Sequence, residues 1–533
     1  MRHCAILAPR CSENFVRPPY FAHRVGVSAV EEIVGALSGG VERGELYPRC
    51  LIQCRRRRMI LSHIGRNGRG SLFMCSSSEV AELSSHSPYR IYKRTLAACI
   101  GTALAAYVVT TSAADRHDVP PTPVTVVVTN CDDSGPGSLR DALAMNPDNI
   151  DMTQLTCSLI TLTSGELSTQ SNDLVLFGNS GTIVSGNGAS RVLSQQGSGK
   201  LQIFGLDFAD GAVTDSNPAV GGCIYSEGHL YLRRVTIENC SVSAASGFTT
   251  FAAGGGVFAS GDAHVYYSSI RDNAVYAGSA TYSYSRGGGL YVSGTLLIDH
   301  STVSGNVVHS FAGAYTSGGG LFTRSRASIR YSTLSGNNAY FAGAGQVGSE
   351  DGIAEIINST ISGNTAVSLA GIASAAALLR VWDSTIAFNV ADRGGCGGGV
   401  VLFEGQGSYL SANNAIIANN TSGGSEDDVC VSTFGGVVGH ANVIIEANVA
   451  LPQDTIQSDP MLGPLADNGG ATQTCALLPG SPAIDAGDDY APLQTYDQRG
   501  TGFARMSGPH IDIGAFEVQQ PPPPNEIFAN GFD

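Results

Sequence analysis

Thr302-Val-Ser-Gly-Asn306, Thr333-Leu-Ser-Gly-Asn337 and Thr360-Ile-Ser-Gly-Asn364 are one phrase written three times. Working outward, a looser form (small or hydroxyl, aliphatic, two variable residues, Asn) recurs as Ser269-Ile-Arg-Asp-Asn273, Thr385-Ile-Ala-Phe-Asn389 and Ala415-Ile-Ile-Ala-Asn419. Successive Asn are 33, 31, 27, 25 and 30 residues apart. One repeat earlier, Thr236-Ile-Glu-Asn-Cys240 puts a cysteine at the Asn position. A second phrase falls between these, as Gly254-Gly-Gly-Val-Phe258, Gly287-Gly-Gly-Leu-Tyr291, Gly318-Gly-Gly-Leu-Phe322 and Gly397-Gly-Gly-Val-Val401. Gly343-Ala-Gly345 and Gly371-Ile372 are degraded copies.

Between the phrases lie alternating runs such as Leu296-Leu-Ile-Asp-His300 and Ala327-Ser-Ile-Arg-Tyr331, the period-two pattern of short strands. Each repeat therefore predicts about three strands with Gly and Asn at the corners, because both tolerate the left-handed backbone that tight corners need. A propeller would carry Trp-Asp signatures at periods of about 40–50 residues. The expected fold is all-β, a right-handed parallel β-helix over 166–458. Asn would stack over Asn in an internal ladder, and Val, Ile and Leu would fill a narrow core. Exposed strand edges at both ends need covers. Within an N-terminal cap at 115–165, Ser138–Met145 reads as a short helix N-capped by Ser138, and 459–518 is expected to close the other end.

The composition agrees. Gly accounts for 67 of 533 residues, and Lys93 and Lys200 are the only lysines, which disfavours a helix-rich chain. Residues 1–94 carry a net +8 and the remainder a net −23. An acidic body repels nucleic acid and anionic membranes, so neither is an expected partner.

Residues 90–114 have a basic start, a short apolar run and small residues before Asp115, the pattern of an export signal cleaved near Ala113 or Ala114. The run is too short for a comfortable membrane span, so the mature chain is expected to have none. Because such signals begin chains, residues 1–89 are expected to be a mis-assigned or disordered extension, with the start at Met59 or Met74; a genuine extension with a membrane anchor is the alternative. Seven cysteines follow the cleavage point. Their spacing argues against a zinc site and suggests bridges Cys131–Cys157, Cys223–Cys240 and Cys396–Cys430 in an oxidising compartment, with Cys475 left over unless the pairing differs.

Two stretches carry a family resemblance. Asn130-Cys-Asp-Asp-Ser-Gly-Pro-Gly-Ser-Leu-Arg-Asp-Ala-Leu143 opens the body. Asp459-Pro-Met-Leu-Gly-Pro-Leu-Ala-Asp-Asn-Gly-Gly470 begins its end, followed by Leu477-Leu-Pro-Gly-Ser-Pro-Ala-Ile-Asp-Ala-Gly487, Asp497-Gln-Arg-Gly500 and Ile511-Asp-Ile-Gly-Ala-Phe-Glu517. They resemble bacterial exported β-helix proteins with a choice-of-anchor Q C-terminal domain at 459–518. A weaker resemblance is to the repeats of polymorphic outer-membrane proteins. The resemblance implies a secreted or outer-membrane-associated surface location in a Gram-negative bacterium, and transfers no catalytic residue. Within 519–533, Pro521–Pro524 is a stiff spacer before Glu526-Ile-Phe-Ala-Asn-Gly-Phe-Asp533, which resembles a terminal sorting tag.

The search for chemistry points to binding. Paired carboxylates at matching repeat phases, which a glycosidase would need, are missing. Glu426-Asp427-Asp428 reads as a solvated acidic loop, and structural Ca²⁺ has no supporting motif, so no cofactor is expected. The three longest connections, after Cys240, Asn273 and Asn306, are consecutive and would project as lateral loops bearing Phe248, Phe251, Tyr276, Tyr282, Tyr284, Phe311 and Tyr315. Aromatic rings on a rigid scaffold suit a glycan or a cell-surface protein partner, against the plainer reading that they pack the loops onto the wall. A polysaccharide lyase or glycoside hydrolase is the alternative, and a passive surface protein the third.

Overall fold

The computed structural model describes the backbone of residues 52–55, 58–64 and 70–75, and residues 123–520 apart from 245–246, 277–279, 310–313, 349–351, 404–407, 432–434 and 490–493. A separate unit contains three antiparallel strands, Ile52–Arg55, Arg58–Ile64 and Gly70–Cys75. The expected export signal at 90–114 and the tail from Pro521 lie outside the described residues.

The main unit is a right-handed parallel β-helix, each strand pairing with its counterparts one coil before and after. His229–Arg233, for example, lies between Lys200–Phe204 and Ala263–Tyr266. A first sheet of twelve strands runs from Thr125–Val127 to Gly435–His440, and a second of eleven from Leu159–Thr161 to Val443–Ile444. A third of ten strands runs from Leu167–Thr169 to Val429–Val431. Leu230 and Leu232 point inward while His229 and Arg233 face out, and the same alternation builds one continuous apolar core from Val128 to Ile444.

Three strands per repeat undercounts the coil. A fourth sheet of nine strands begins at Ala212–Ser216, and a fifth holds Ala219–Val220, Gly247–Ala253, Ala280–Arg286 and Ala314–Ser317. The expected lateral loops are therefore largely strands. Consecutive connections of similar length bring equivalent backbone groups one above another, and unpaired N–H and C=O groups pair when stacked this way.

The Asn ladder is present and entirely internal. Each Oδ1 of Asn306, Asn337, Asn364, Asn389 and Asn420 accepts from the backbone N–H and the Nδ2 of the preceding member, at 2.8–3.1 Å. The last member is Asn420, not Asn419: Asn419 supplies the left-handed corner (φ 60°) that Gly305, Gly336 and Gly363 supply elsewhere. A second ladder links Ser268, Ser301, Ser332, Ser359 and Ser384, each hydroxyl accepting from the N–H one coil before.

The helix Leu139–Ala144 forms as expected, with the Ser138 hydroxyl accepting from the Asp141 N–H and Leu139, Ala142 and Leu143 buried against the first coils. All three expected disulfides form, with Cα–Cα distances of 6.4, 5.5 and 5.4 Å. Cys475 is free and buried, its thiol pushed up to about 11 by desolvation.

The C-terminal end is closed by a different segment from the one expected. The Ile444 N–H donates to the Ile456 carbonyl and the Ile456 N–H to the Asn442 carbonyl across the last coil, and Ala447 bridges Val429. Residues 459–518 instead run back along the flank where the first sheet turns into the second. Thr472 donates to the Tyr331 carbonyl, Gln498 bonds Thr333 and Thr360, Asn358 donates to the Tyr496 carbonyl, and Asp488 and Asn414 exchange bonds. Polar and apolar contacts both set this placement: the segment's polar groups match the outward hydroxyls and amides of the corner, and its Leu477, Ala483 and Ile513 are buried with Ile416, Ala418 and Val443 of the solenoid. Arg499 holds the segment together, bonded bidentate to Asp497 and sandwiched between Phe503 and Phe516 at 4.0 and 3.8 Å.

Candidate functional site

The fifth sheet carries most of the aromatic residues singled out above. Its register sets Phe251, Tyr284 and Tyr315 in one column and Tyr282 beside Thr249. Tyr276 lies in the adjoining fourth sheet, stacked on His309 at 4.6 Å. Tyr315 (56% exposed), Tyr282 (45%) and Tyr276 (40%) face solvent, and Phe248 is the most open ring at 73%. Phe251 and Tyr284 are half-buried, Phe251 edge-on to Tyr291. Phe311 lies outside the described residues.

Ring geometry sets what this surface can offer. Tyr284 stacks on Tyr315 at 5.3 Å, 13° from parallel, so rings one coil apart occupy each other's faces and present edges and hydroxyls outward. Phe248 touches Tyr282 only edge to face and keeps more of its own face open. Beside this surface, the third sheet adds a column of Tyr225, Phe258, Tyr291 and Phe322, with Arg286 over Phe322 at 4.7 Å. Burial pulls the Arg286 guanidinium below its ordinary value.

On the corner between the first and second sheets a groove of about 350 Å³ opens, lined by Ser180, Asp207, Arg234, Tyr267, His300 and, from the C-terminal segment, Ala471. Tyr267 stacks on His300 at 4.7 Å, and His300 on Tyr331 at 4.6 Å. Asp299 holds the His300 Nδ1. The Asp207 carboxylate accepts from the Thr236 N–H at 2.6 Å, yet burial raises it above its ordinary value. Sequence reasoning missed this groove because its wall at Ala471 lies far along the chain from its floor. The available signal was the corner itself, where Arg234, Tyr267 and His300 fill positions that favour Gly or Asn.

Several acidic residues on the outer faces of the first and second sheets are matched by bases, whereas Asp485, Asp512 and Glu517 lie close together in the C-terminal segment, where burial raises Asp512 and pushes Glu517 up to about 7. Glu238 faces Arg271 in register, Asp299 faces Arg330, and Glu355 bonds both Arg330 and Arg380. No described strand sets acid against acid in register. Glu426-Asp427-Asp428 departs from the solvated loop expected of it: Asp427 accepts from the Gly397 N–H, and Asp428 is fully buried at the end of the Asn ladder. The solenoid needs a double acceptor there, since Asn420 and the Glu446 N–H both point at that carboxylate. Among the described residues, no group of three or more His, Cys, Asp or Glu is placed to hold a metal. Comparison with family models, curated proteins and solved structures found no match, so the geometry carries the functional argument.

Proposed function

We propose that this protein is an exported, surface-associated binding protein, not an enzyme, that takes a glycan chain along its fifth sheet. The observation that carries this reading is the diagonal row of exposed Phe248, Tyr282 and Tyr315 on three successive strands of a parallel sheet, out of register with one another. Coils about 4.8 Å apart repeat hydroxyls and ring edges along the axis, which suits an extended polymer of repeating polar units. Thr249 and Tyr282 add hydrogen-bonding groups to that row. The export reading draws on the three disulfides, which persist in oxidising compartments, and on the export-signal pattern at 90–114. Among the described residues no helix is long and apolar enough to cross a membrane. Membership of the exported β-helix proteins with a choice-of-anchor Q domain remains part of this proposal, resting on the stretches quoted from 130–143 and 459–517.

A glycan array probed with the purified protein tests the reading. Saturable binding that falls at least about tenfold in Tyr282→Ala/Tyr315→Ala, with an unchanged melting temperature, is the expected outcome. Binding that is indifferent to both substitutions, or depolymerisation of a bound glycan, overturns it.

A further inference from the structure

The corner that builds the polar groove is continuous with the corner that the C-terminal segment covers. In each coil the corner residue has positive φ. Beneath the segment it is Tyr331, Asn358, Asp383 or Asn414, each bonded by the segment, and the last three are residue types that adopt this backbone most readily. In the open groove it is Arg234, Tyr267 and His300, with φ of 56°, 49° and 47°. Such side chains strain a left-handed corner by about 1 kcal/mol each. Among the described residues the Arg234 guanidinium has no ion pair, no hydrogen bond and no ring beneath it, although it lines a groove. Tyr267 gives one face to His300, has no ring partner on the other, and is 47% exposed. The groove is walled where the C-terminal segment begins: Ala471 lines it, and a Cβ built on Gly500 would sit 3.8 Å from His300 Nε2.

We propose that this groove binds the end of a saccharide carrying an anionic substituent. Arg234, permanently charged and otherwise unpaired, takes the anion. The free face of Tyr267 carries the sugar ring. Asp207, Ser269 and Thr302, which also line the groove, read its hydroxyls. The volume admits a short saccharide, and the wall at Ala471 and Gly500 admits a chain end but not a through-running polymer. This site is separate from the fifth sheet and does not depend on the reading given for it.

The test is titration calorimetry of the purified protein with methyl glucuronide and N-acetylneuraminic acid, against methyl glucoside as the neutral probe. The variants are Arg234→Asn and Tyr267→Asn, which install the residue type found at 358 and 414. At least one acidic probe should bind about tenfold tighter than the neutral one. Arg234→Asn should erase that preference, and Tyr267→Asn should weaken all binding. Both variants should melt at or above the wild-type temperature, since Asn relieves the corner. Tyr282→Ala/Tyr315→Ala should leave the groove's binding intact. The proposal fails if no probe binds at millimolar excess, if Arg234→Asn keeps the acidic preference, or if the Asn variants melt lower, which would make these side chains structural.

Discussion

Asp428 closes the Asn ladder because the last position must accept on both sides. One oxygen takes the N–H and Nδ2 of Asn420, and the other takes the Glu446 N–H. An Asn there would aim an amino group at the Glu446 N–H, so Asp428→Asn should cost about 1–3 kcal/mol in urea denaturation. Burial pushes the Asp428 carboxyl up to about 6, against about 3.9 in the unfolded chain. The native state thus holds this proton more tightly than the unfolded state. Its contribution is full below about pH 4 and is lost as pH rises through about 6. The stability gap between wild type and Asp428→Asn should accordingly be widest near pH 4 and narrow by about pH 8. Asn419 and Asn420, adjacent in sequence, should behave oppositely. Asn420→Ala strands buried partners on two coils and should cost about 2–4 kcal/mol, whereas Asn419→Gly, at a left-handed corner, should stay within about 0.5 kcal/mol.

At the scale of the element, what separates a strand from a loop in this molecule is the coil above it. The stretch from Gly247 to Ala253 is a strand because Ala280–Arg286 runs parallel to it, residue for residue. The glycine runs enforce the same closeness. A Cβ on Gly288 would meet the Gly319 carbonyl oxygen at 2.2 Å, although Gly288 has an ordinary φ; Gly363, at φ 68°, faces open space. Gly288→Ala should therefore cost about 3 kcal/mol or more through steric clash, and Gly363→Ala only about 1 kcal/mol through backbone strain, both read from chemical denaturation. The phrases and their order were legible in the sequence because each marks a corner. The fourth and fifth sheets were not, since their pairing depends on the lengths of neighbouring connections.

For the whole molecule, a solenoid in which each coil touches only its neighbours localises damage. Cys396–Cys430 spans 34 residues across the last coils, and the chain-entropy relation assigns such a closure roughly 4 kcal/mol. Cys396→Ser/Cys430→Ser should raise amide exchange in the coils from Val400 onward and leave those around Leu201–Leu232 protected. Uniform loss of protection would mean that the solenoid unfolds as one unit. The C-terminal segment joins non-neighbours, since Thr472 reaches Tyr331 while Gly514 reaches Asn414, and so it couples several coils.

Sequence alone determined the repeat, the parallel solenoid, the helix over its first coil and the cysteine pairs, because each depends on local backbone preference or on a period that stacking must copy. Only the tertiary structure decided that Asn420 enters the ladder, that the long connections pair as a sheet with their rings face to face, and that the C-terminal segment lies on the flank. Those outcomes turn on which polar groups meet across 25 to more than 160 residues of chain, a matching that no local pattern encodes.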